Sequence, residues 1–325
     1  MTRCCVCGEP GKSTTRILGD KLRIALFEYF GSAVPAEVRI RDYDLLSCRA
    51  CGLVSTVPME AGDDDFYQWI TRQSGYYPAF RWEWRIVIES IRRLSAQRPI
   101  SVLDVGCGSG DFLSTINEIP GVDARGIDTT ASSVQAGRAR GLNIDCADMA
   151  RYAMDNPNRR FDVVTSFHCI EHVSDPKGFL SAITSFLKPD IGVALVSAPL
   201  SPMSFETKWF DPLNHPPHHL TRWSLRALQE LSKAIGLELS IETSPARLSV
   251  FRALEAFELE KKGALKSGRR LRQVWVALRG LPEFIQEWAA QSRRPMIDGR
   301  VIGNIFLAAF SRPGFQFSLR NERQR

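Results

Sequence analysis

The 325-residue chain is short of several things, and each shortage narrows its function. No apolar run approaches the roughly 18 residues needed to cross a bilayer. The first residues, "MTRCCVCGEP", contain no apolar segment of the kind that directs secretion, so a cytoplasmic location is expected. No internal repeat or low-complexity tract is present, which argues against solenoids and disordered linkers. Charge of one sign does not dominate, the net formal charge being +6. Histidine is scarce, at five residues, and three of these fall within the eleven-residue stretch "NHPPHHLTRWS" (214–224). The eight cysteines are, in a reducing compartment, free thiols or metal ligands rather than disulfides.

With 44% hydrophobic residues the chain can bury a full core. Its organisation reads as cysteine knuckles over 1–58, a connector and helix over 59–97, and a nucleotide-type α/β core over 98–245. A basic helical insert over 246–300 and a last core strand with its tail over 301–325 complete it. Trp84, Ile86, Val87, Ile88 and Ile91 give the connector helix one apolar side. From Ser101 onward short β-rich runs alternate with helical ones, the pattern of a doubly wound, mostly parallel sheet. The strand candidates are Ser101–Val105, Ala124–Asp128, Phe161–Phe167, Gly192–Ser197, Leu237–Thr243 and Gly303–Phe310. In the insert, Leu271, Val274, Trp275 and Leu278 recur at helical spacing, and Pro282 after Gly280 opens a second helix. The insert's basic excess suits an acidic partner: a phosphorylated acceptor, or a membrane surface touched peripherally.

"SVLDVGCGSGDF" carries the strongest signal. An apolar strand ends in Asp104, and Gly106, Gly108 and Gly110 then turn into a helix, where glycine permits positive φ and close approach of a ligand. A second acid, Asp128 in "ARGIDTT", closes the next strand at a distance suited to ribose hydroxyls. Nicotinamide is disfavoured, because the dinucleotide pattern needs glycine where this chain has Asp111. An acid at Asp104 suits an ammonium or sulfonium instead. On these residues, and on "DCADM" and "FDVVTSFHCIEHVSDP", residues 98 to 200 resemble the class I S-adenosylmethionine-dependent methyltransferases. The resemblance implies a donor site of Asp104, Gly106, Cys107, Gly108, Gly110, Asp128, Thr129, Asp148, Met149 and Phe167. Methyltransferases acting on adenine amino groups carry an Asn/Asp-Pro-Pro-aromatic motif after the fourth strand, where this chain has "SFHCI", so nucleobase N-methylation is disfavoured.

In a doubly wound sheet ligands bind at the carboxyl ends of the strands. His168, Glu171 and His172 end the fourth strand, and the segment holding His215, His218 and His219 leaves the fifth at the same rim, so all five histidines are expected at one edge. The candidate catalytic residues are Glu171, His172, His218 and His219, with a histidine as general base for a hydroxyl acceptor. A second divalent metal at His168, Glu171 and His172 is the rival reading. That set resembles the Glu-x-x-Glu-His ligands of ubiquinone-pathway and small-RNA O-methyltransferases, with His168 in place of the first glutamate. A purely hydrogen-bonded, structural role is the third. Pro212, Pro216 and Pro217 stiffen the loop, which reads as the substrate wall.

Two C-x-x-C pairs, each followed by glycine, place Cys4, Cys7, Cys48 and Cys51 as ligands of a structural zinc, with Cys5 as an alternate. "CRACGLV", then an acidic aromatic connector, then the core resembles the layout of deoxysugar C-methyltransferases with an N-terminal zinc domain. The catalytic loop departs from those enzymes, which leaves O- against C-methylation open. The expected activity is thus methyl transfer to a small molecule or glycan acceptor, most simply a sugar, nucleotide sugar or glycan precursor. An RNA methyltransferase using the ribbon and basic insert is the alternative, nucleic acid being the less favoured partner. A non-catalytic zinc-ribbon interaction protein with a vestigial core is the other.

Overall fold

The computed structural model describes residues 2–74, 76, 80–262, 280–297, 300–315 and 317–319. The chain opens with strand β1 (Gly11–Ile17), helix α1 (Gly19–Phe30), and strands β2 (Tyr43–Cys48) and β3 (Val54–Val57). Helices α2 (Asp64–Ile70) and α3 (Trp82–Ser95) then lead into the core. Core strands and helices alternate: β4 (Ile100–Val105), α4 (Asp111–Asn117), β5 (Val122–Asp128), α5 (Ala131–Ala139), β6 (Ile144–Cys146), α6 (Met149–Asp155), β7 (Val163–Phe167), α7 (Pro176–Ser185) and β8 (Val193–Pro199). After a 3-10 turn at Pro212–Asn214 come β9 (Thr221–Arg222), α8 (Leu225–Ala234), β10 (Glu238–Thr243), α9 (Ser249–Lys262) and α10 (Leu281–Ser292). A small hairpin, β11 (Met296–Ile297) and β12 (Arg300–Val301), precedes the last strand, β13 (Ile305–Ser311).

The seven-stranded sheet has the order β10-β13-β8-β7-β4-β5-β6. Strands β4 to β8 run parallel, and only β13 opposes its neighbours. Each of the six expected strands forms, shifted by at most two residues at either end. The short β6 was not anticipated, since three residues give no periodic signal. Val102, Leu103, Val163, Val164, Ala194, Leu195 and Val196 are wholly buried, as expected for strands covered by helices on both faces. Strand order reverses at β4, which has β5 on one side and β7 on the other. This reversal opens a crevice beyond the carboxyl ends of those strands.

The cysteine knuckles build a second, antiparallel sheet of order β1-β2-β3-β9. Its fourth strand comes from far downstream, directly after the histidine loop. Cys4, Cys48, Cys51 and Leu53 share one apolar cluster with Leu103, Val105 and Trp223. The expected helix after Gly280 is α10, with Pro282 in its first turn. Leu271, Val274, Trp275 and Leu278, with much of the basic insert, lie outside the described residues. No helix among the described residues is long and apolar enough to cross a membrane.

Phe310 is fully buried in β13, where it pairs with Leu239 of β10 on one side and Ala194 of β8 on the other. Phe310→Ala should destabilise the domain by about 3–5 kcal/mol, read as a lower denaturant midpoint at unchanged slope.

Candidate active site

Where β4 ends, the backbone turns through Gly106, Gly108 and Gly110 at φ of 74°, 56° and 82°. The turn is locked onto β5: Gly106 and Cys107 donate their amides to the Ile127 carbonyl, at 2.8 and 3.1 Å. Asp128 accepts from the Gly108 amide through one carboxylate oxygen and from the Thr130 amide through the other, both at 2.8 Å. A Cβ at Gly106 would lie 2.2 Å from Cys169 Sγ, so glycine is required there for space as well as for φ. Asp104 is buried, accepts a 2.7 Å hydrogen bond from Thr165 Oγ1, and is pushed up to about 7 by desolvation, partly offset by Thr165.

These residues line one end of a cavity of about 1230 Å³, together with Thr129, Met149 and Phe167. Asp148 lines it too, while one of its oxygens caps α6 by accepting from the Arg151 amide at 2.7 Å. Gly110 does not reach the cavity. It is the N-cap of α4, packed so closely that a Cβ would meet Leu142 at 2.6 Å.

The other end of the cavity is lined by His168, Glu171, His172, His218 and His219. His215, the fifth histidine, corrects the expectation that all five meet there. It is buried elsewhere, stacked on Phe210 at 4.1 Å and bonded to Tyr43 and Arg222. His168 holds the rare φ of 53° for a non-glycine residue. Its Nε2 lies 3.0 Å from Glu83 and its Nδ1 3.3 Å from Glu171. Burial disfavours its charged form, but the two carboxylates outweigh that and raise its pKa. Both nitrogens of His168 face carboxylates, an arrangement that favours its imidazolium form.

The three remaining rings share one tautomer. His172 Nδ1 donates to the His218 carbonyl at 2.6 Å, His218 Nδ1 to the Leu213 carbonyl at 2.8 Å, and His219 Nδ1 to Asn214 Oδ1 at 3.2 Å. Each Nε2 is therefore an acceptor. That of His218 takes the Tyr76 hydroxyl at 3.0 Å, and those of His172 and His219 stand 4.0 Å from Glu171 Oε1. Burial keeps all three below the ordinary histidine pKa, His218 and His219 far below, so they are neutral at pH 7. Glu171 is 1% exposed, and neither of its oxygens makes an aligned hydrogen bond among the described residues. Ligand atoms of His172, His218 and His219 all lie within 4.8 Å of one another, a different trio from the His168–Glu171–His172 set.

Sequence reasoning missed the roof. Tyr67 and Gln68 of α2, then Tyr76, Arg81 and Trp84, also line the cavity. Glu83 has no exposed surface and binds both His168 and Ser197 Oγ. Its one sequence signal was an acid in the otherwise apolar-striped run "WEWRIVI".

The Sγ atoms of Cys4, Cys7, Cys48 and Cys51 also lie within 4.8 Å of one another, with Cys4–Cys51 at 3.6 Å and Cys7–Cys48 at 3.4 Å. Tetrahedral zinc with bonds of about 2.3 Å sets sulfurs about 3.8 Å apart, so these thiols fit it. Cys5 is not one of the four.

Residues 80–240 match the family model described as a methyltransferase domain. This segment is a methyltransferase domain. Ubiquinone biosynthesis O-methyltransferase of Cereibacter sphaeroides is 35% identical over 112 residues, covering 32% of this chain and 45% of that enzyme. Its Rhodopseudomonas palustris counterpart is 32% identical over 102 residues, covering 30% and 40%. The chain thus spans less than half the length of the curated relatives it matches. A methyltransferase from Archaeoglobus fulgidus superposes with a TM-score of 0.43 at 20% identity, over 70% of this chain and 93% of that one. The methyltransferase domain contains both ends of the cavity. Its glycine turn, Asp104 and Asp128 line the cavity end whose residue types fit S-adenosylmethionine.

Two outcomes follow for that end. Gly106→Ala should weaken S-adenosylhomocysteine binding by on the order of tenfold or more in calorimetry, and the added change Cys169→Ala should recover only part, because positive φ remains unfavourable. Since Asp104 must be ionised to face a cation and its pKa is about 7, affinity for S-adenosylmethionine should rise with pH up to about 7 and level off above it. At pH 6 the expected loss is about tenfold, absent in Asp104→Asn.

Proposed function

We propose that this protein is an S-adenosylmethionine-dependent methyltransferase acting on a hydroxyl of a small molecule. The observation that carries the reading is one chamber with a nucleoside-shaped turn at one end and three neutral, co-oriented imidazoles at the other. Bound at the turn, the donor supplies a methyl group already activated by its sulfonium. The protein's task is then to hold an oxygen in line and accept its proton.

His172 or His219 suits the second task, each having an acceptor Nε2 toward the chamber. As the methyl group passes to oxygen, the hydroxyl proton passes to that nitrogen. Glu171, 4.0 Å from both, steadies the imidazolium that results. His218, with Nε2 already on Tyr76, serves better to brace the wall. The printed name of the curated relatives, an O-methyltransferase, is consistent with oxygen as acceptor. A sugar, nucleotide sugar or glycan precursor remains our preferred substrate class, from the layout of knuckles, connector and core. Arg72 and Arg81 line the chamber and offer a phosphorylated acceptor its counter-charge.

A second reading has its own observation. Each Nδ1 on an oxygen acceptor, ligand atoms of three imidazoles within 4.8 Å of one another and a buried carboxylate short of hydrogen bonds is how a protein prepares ligands for a divalent ion. His172, His218, His219 and Glu171 would hold it, their nitrogen-rich set favouring zinc- or manganese-type ions. The ion would lower the acceptor's pKa.

One pair of variants separates these readings. His219→Ala and His172→Ala should each cut methyl transfer about 100-fold or more in an extract supplied with labelled S-adenosylmethionine, with S-adenosylhomocysteine affinity within about twofold of normal. Under the base reading, metal analysis gives one zinc per chain in both variants and in the parent. Under the metal reading the parent carries a second ion that His219→Ala loses. Unchanged transfer in both variants would overturn the assignment of the wall to catalysis.

A further inference from the structure

The cysteine knot and the imidazole wall are described above as separate features, yet the chain joins them within a few residues. Cys51 is followed by Gly52, Leu53 and then β3. His219 is followed by Leu220 and then β9. The two strands pair, Val54 opposite Arg222 and Ser55 opposite Thr221. Beyond the ladder, the Thr56 amide donates to the Leu220 carbonyl at 3.1 Å and the Gly62 amide to the Pro217 carbonyl at 2.9 Å. At the knot itself Ser224 Oγ donates to the Cys51 carbonyl at 3.0 Å, and the same oxygen caps α8. Gly52 at φ 75° leaves no room for a side chain against that hydroxyl.

On its inner side the same stretch is fastened to the catalytic strand end. The Leu220 amide donates to the Glu171 carbonyl at 2.7 Å. The loop carrying His218 and His219 is thus clamped between Glu171 and the ribbon. A ladder of two residue pairs has little stability alone. The start of β3 follows the knuckle at Cys48–Cys51, and a metal held by the four converging thiols would close that knuckle. The glycine turn is held differently, by bonds from Gly106 and Gly108 to β5.

We propose that the four-cysteine zinc is a positioning element of the acceptor wall: through β3 and β9 it holds His218 and His219 in place, while leaving the nucleoside end independent. This rests on reading the wall as the acceptor side. Its test reports backbone closure rather than methyl transfer, so the two can fail separately.

The experiment follows amide hydrogen exchange and S-adenosylhomocysteine binding in the full-length protein, before and after zinc is removed with a mercurial and a chelator and the thiols are regenerated. Cys7→Ser, which removes a ligand on the far side of the knot, is treated in parallel. Exchange at Thr56, Gly62 and Leu220 should accelerate about 100-fold or more, while nucleoside affinity changes less than about twofold and protection across β4, β7 and β8 persists. Protected wall amides after zinc loss would overturn the proposal. So would parallel loss of nucleoside affinity or of protection in the central sheet, which would make the zinc a general folding element. Ser224→Ala keeps all four thiolates and guards against a ligand variant that does not fold. It should retain its zinc and speed exchange at the same amides by about tenfold. No change there would also count against the proposal.

Discussion

Glu171 is the constraint around which the acceptor side is arranged. An ionised carboxylate without water is costly to bury, and it survives only where opposite charge and polar hydrogen come to it. Here His168 supplies the charge, held in an unfavourable backbone conformation and shared with a second buried acid, Glu83. Two carboxylates about one imidazolium leave net negative charge in the wall. That field opposes formation of a free alkoxide in the chamber, but favours any positive charge that forms beside it. A protonated imidazole, a divalent ion and a sulfonium methyl group all meet that condition. The same electrostatic arrangement therefore serves both readings of the wall, and the choice between them turns on metal content rather than on pKa.

The two ends of the chamber follow different rules of construction. The donor end is made from backbone: amides of the glycine turn, carbonyls of β5, and one aspartate that fixes both. Side-chain freedom has little part in it, and it can be recognised wherever the strand-turn-helix occurs. The acceptor end is made from side chains on segments far apart in sequence, from Tyr76 and Glu83 to His219. His218 is oriented by a carbonyl of its own loop, His172 by the His218 carbonyl and His219 by Asn214 Oδ1, so the conformation of that loop sets all three tautomers.

That difference explains what the sequence disclosed. Apolar strand runs and the glycine spacing are local, and the sheet and the glycine turn form where they were expected, with Asp104 and Asp128 beside that turn. The cysteine spacing was equally local, and the four sulfurs converge as it implied. His215 was misplaced because topology fixes where a segment leaves the sheet, not which way each side chain on it faces. Its neighbours Tyr43, Phe210 and Arg222 drew it into a separate buried cluster. The pairing of His168 with Glu83 was not legible, because Glu83 lies 85 residues away on a helix whose apolar stripe hid the acid. Non-local pairings of this sort leave no periodic trace.

The position of β9 has a consequence for how such a chamber could change its substrate. The nucleoside end is confined to the parallel sheet, where alteration disturbs the core directly. The part of the wall carrying His218 and His219 hangs instead from an antiparallel sheet whose other strands precede the core in sequence. Lengthening or reshaping the segment between Cys7 and Cys48, or that between β3 and α3, would move the roof and wall without touching a residue that grips the donor. Tyr67, Tyr76 and Arg81 all lie on the latter segment. On the proposed reading of the chamber, acceptor specificity is physically separable from donor binding in this fold, with the cysteine knot at the joint between them.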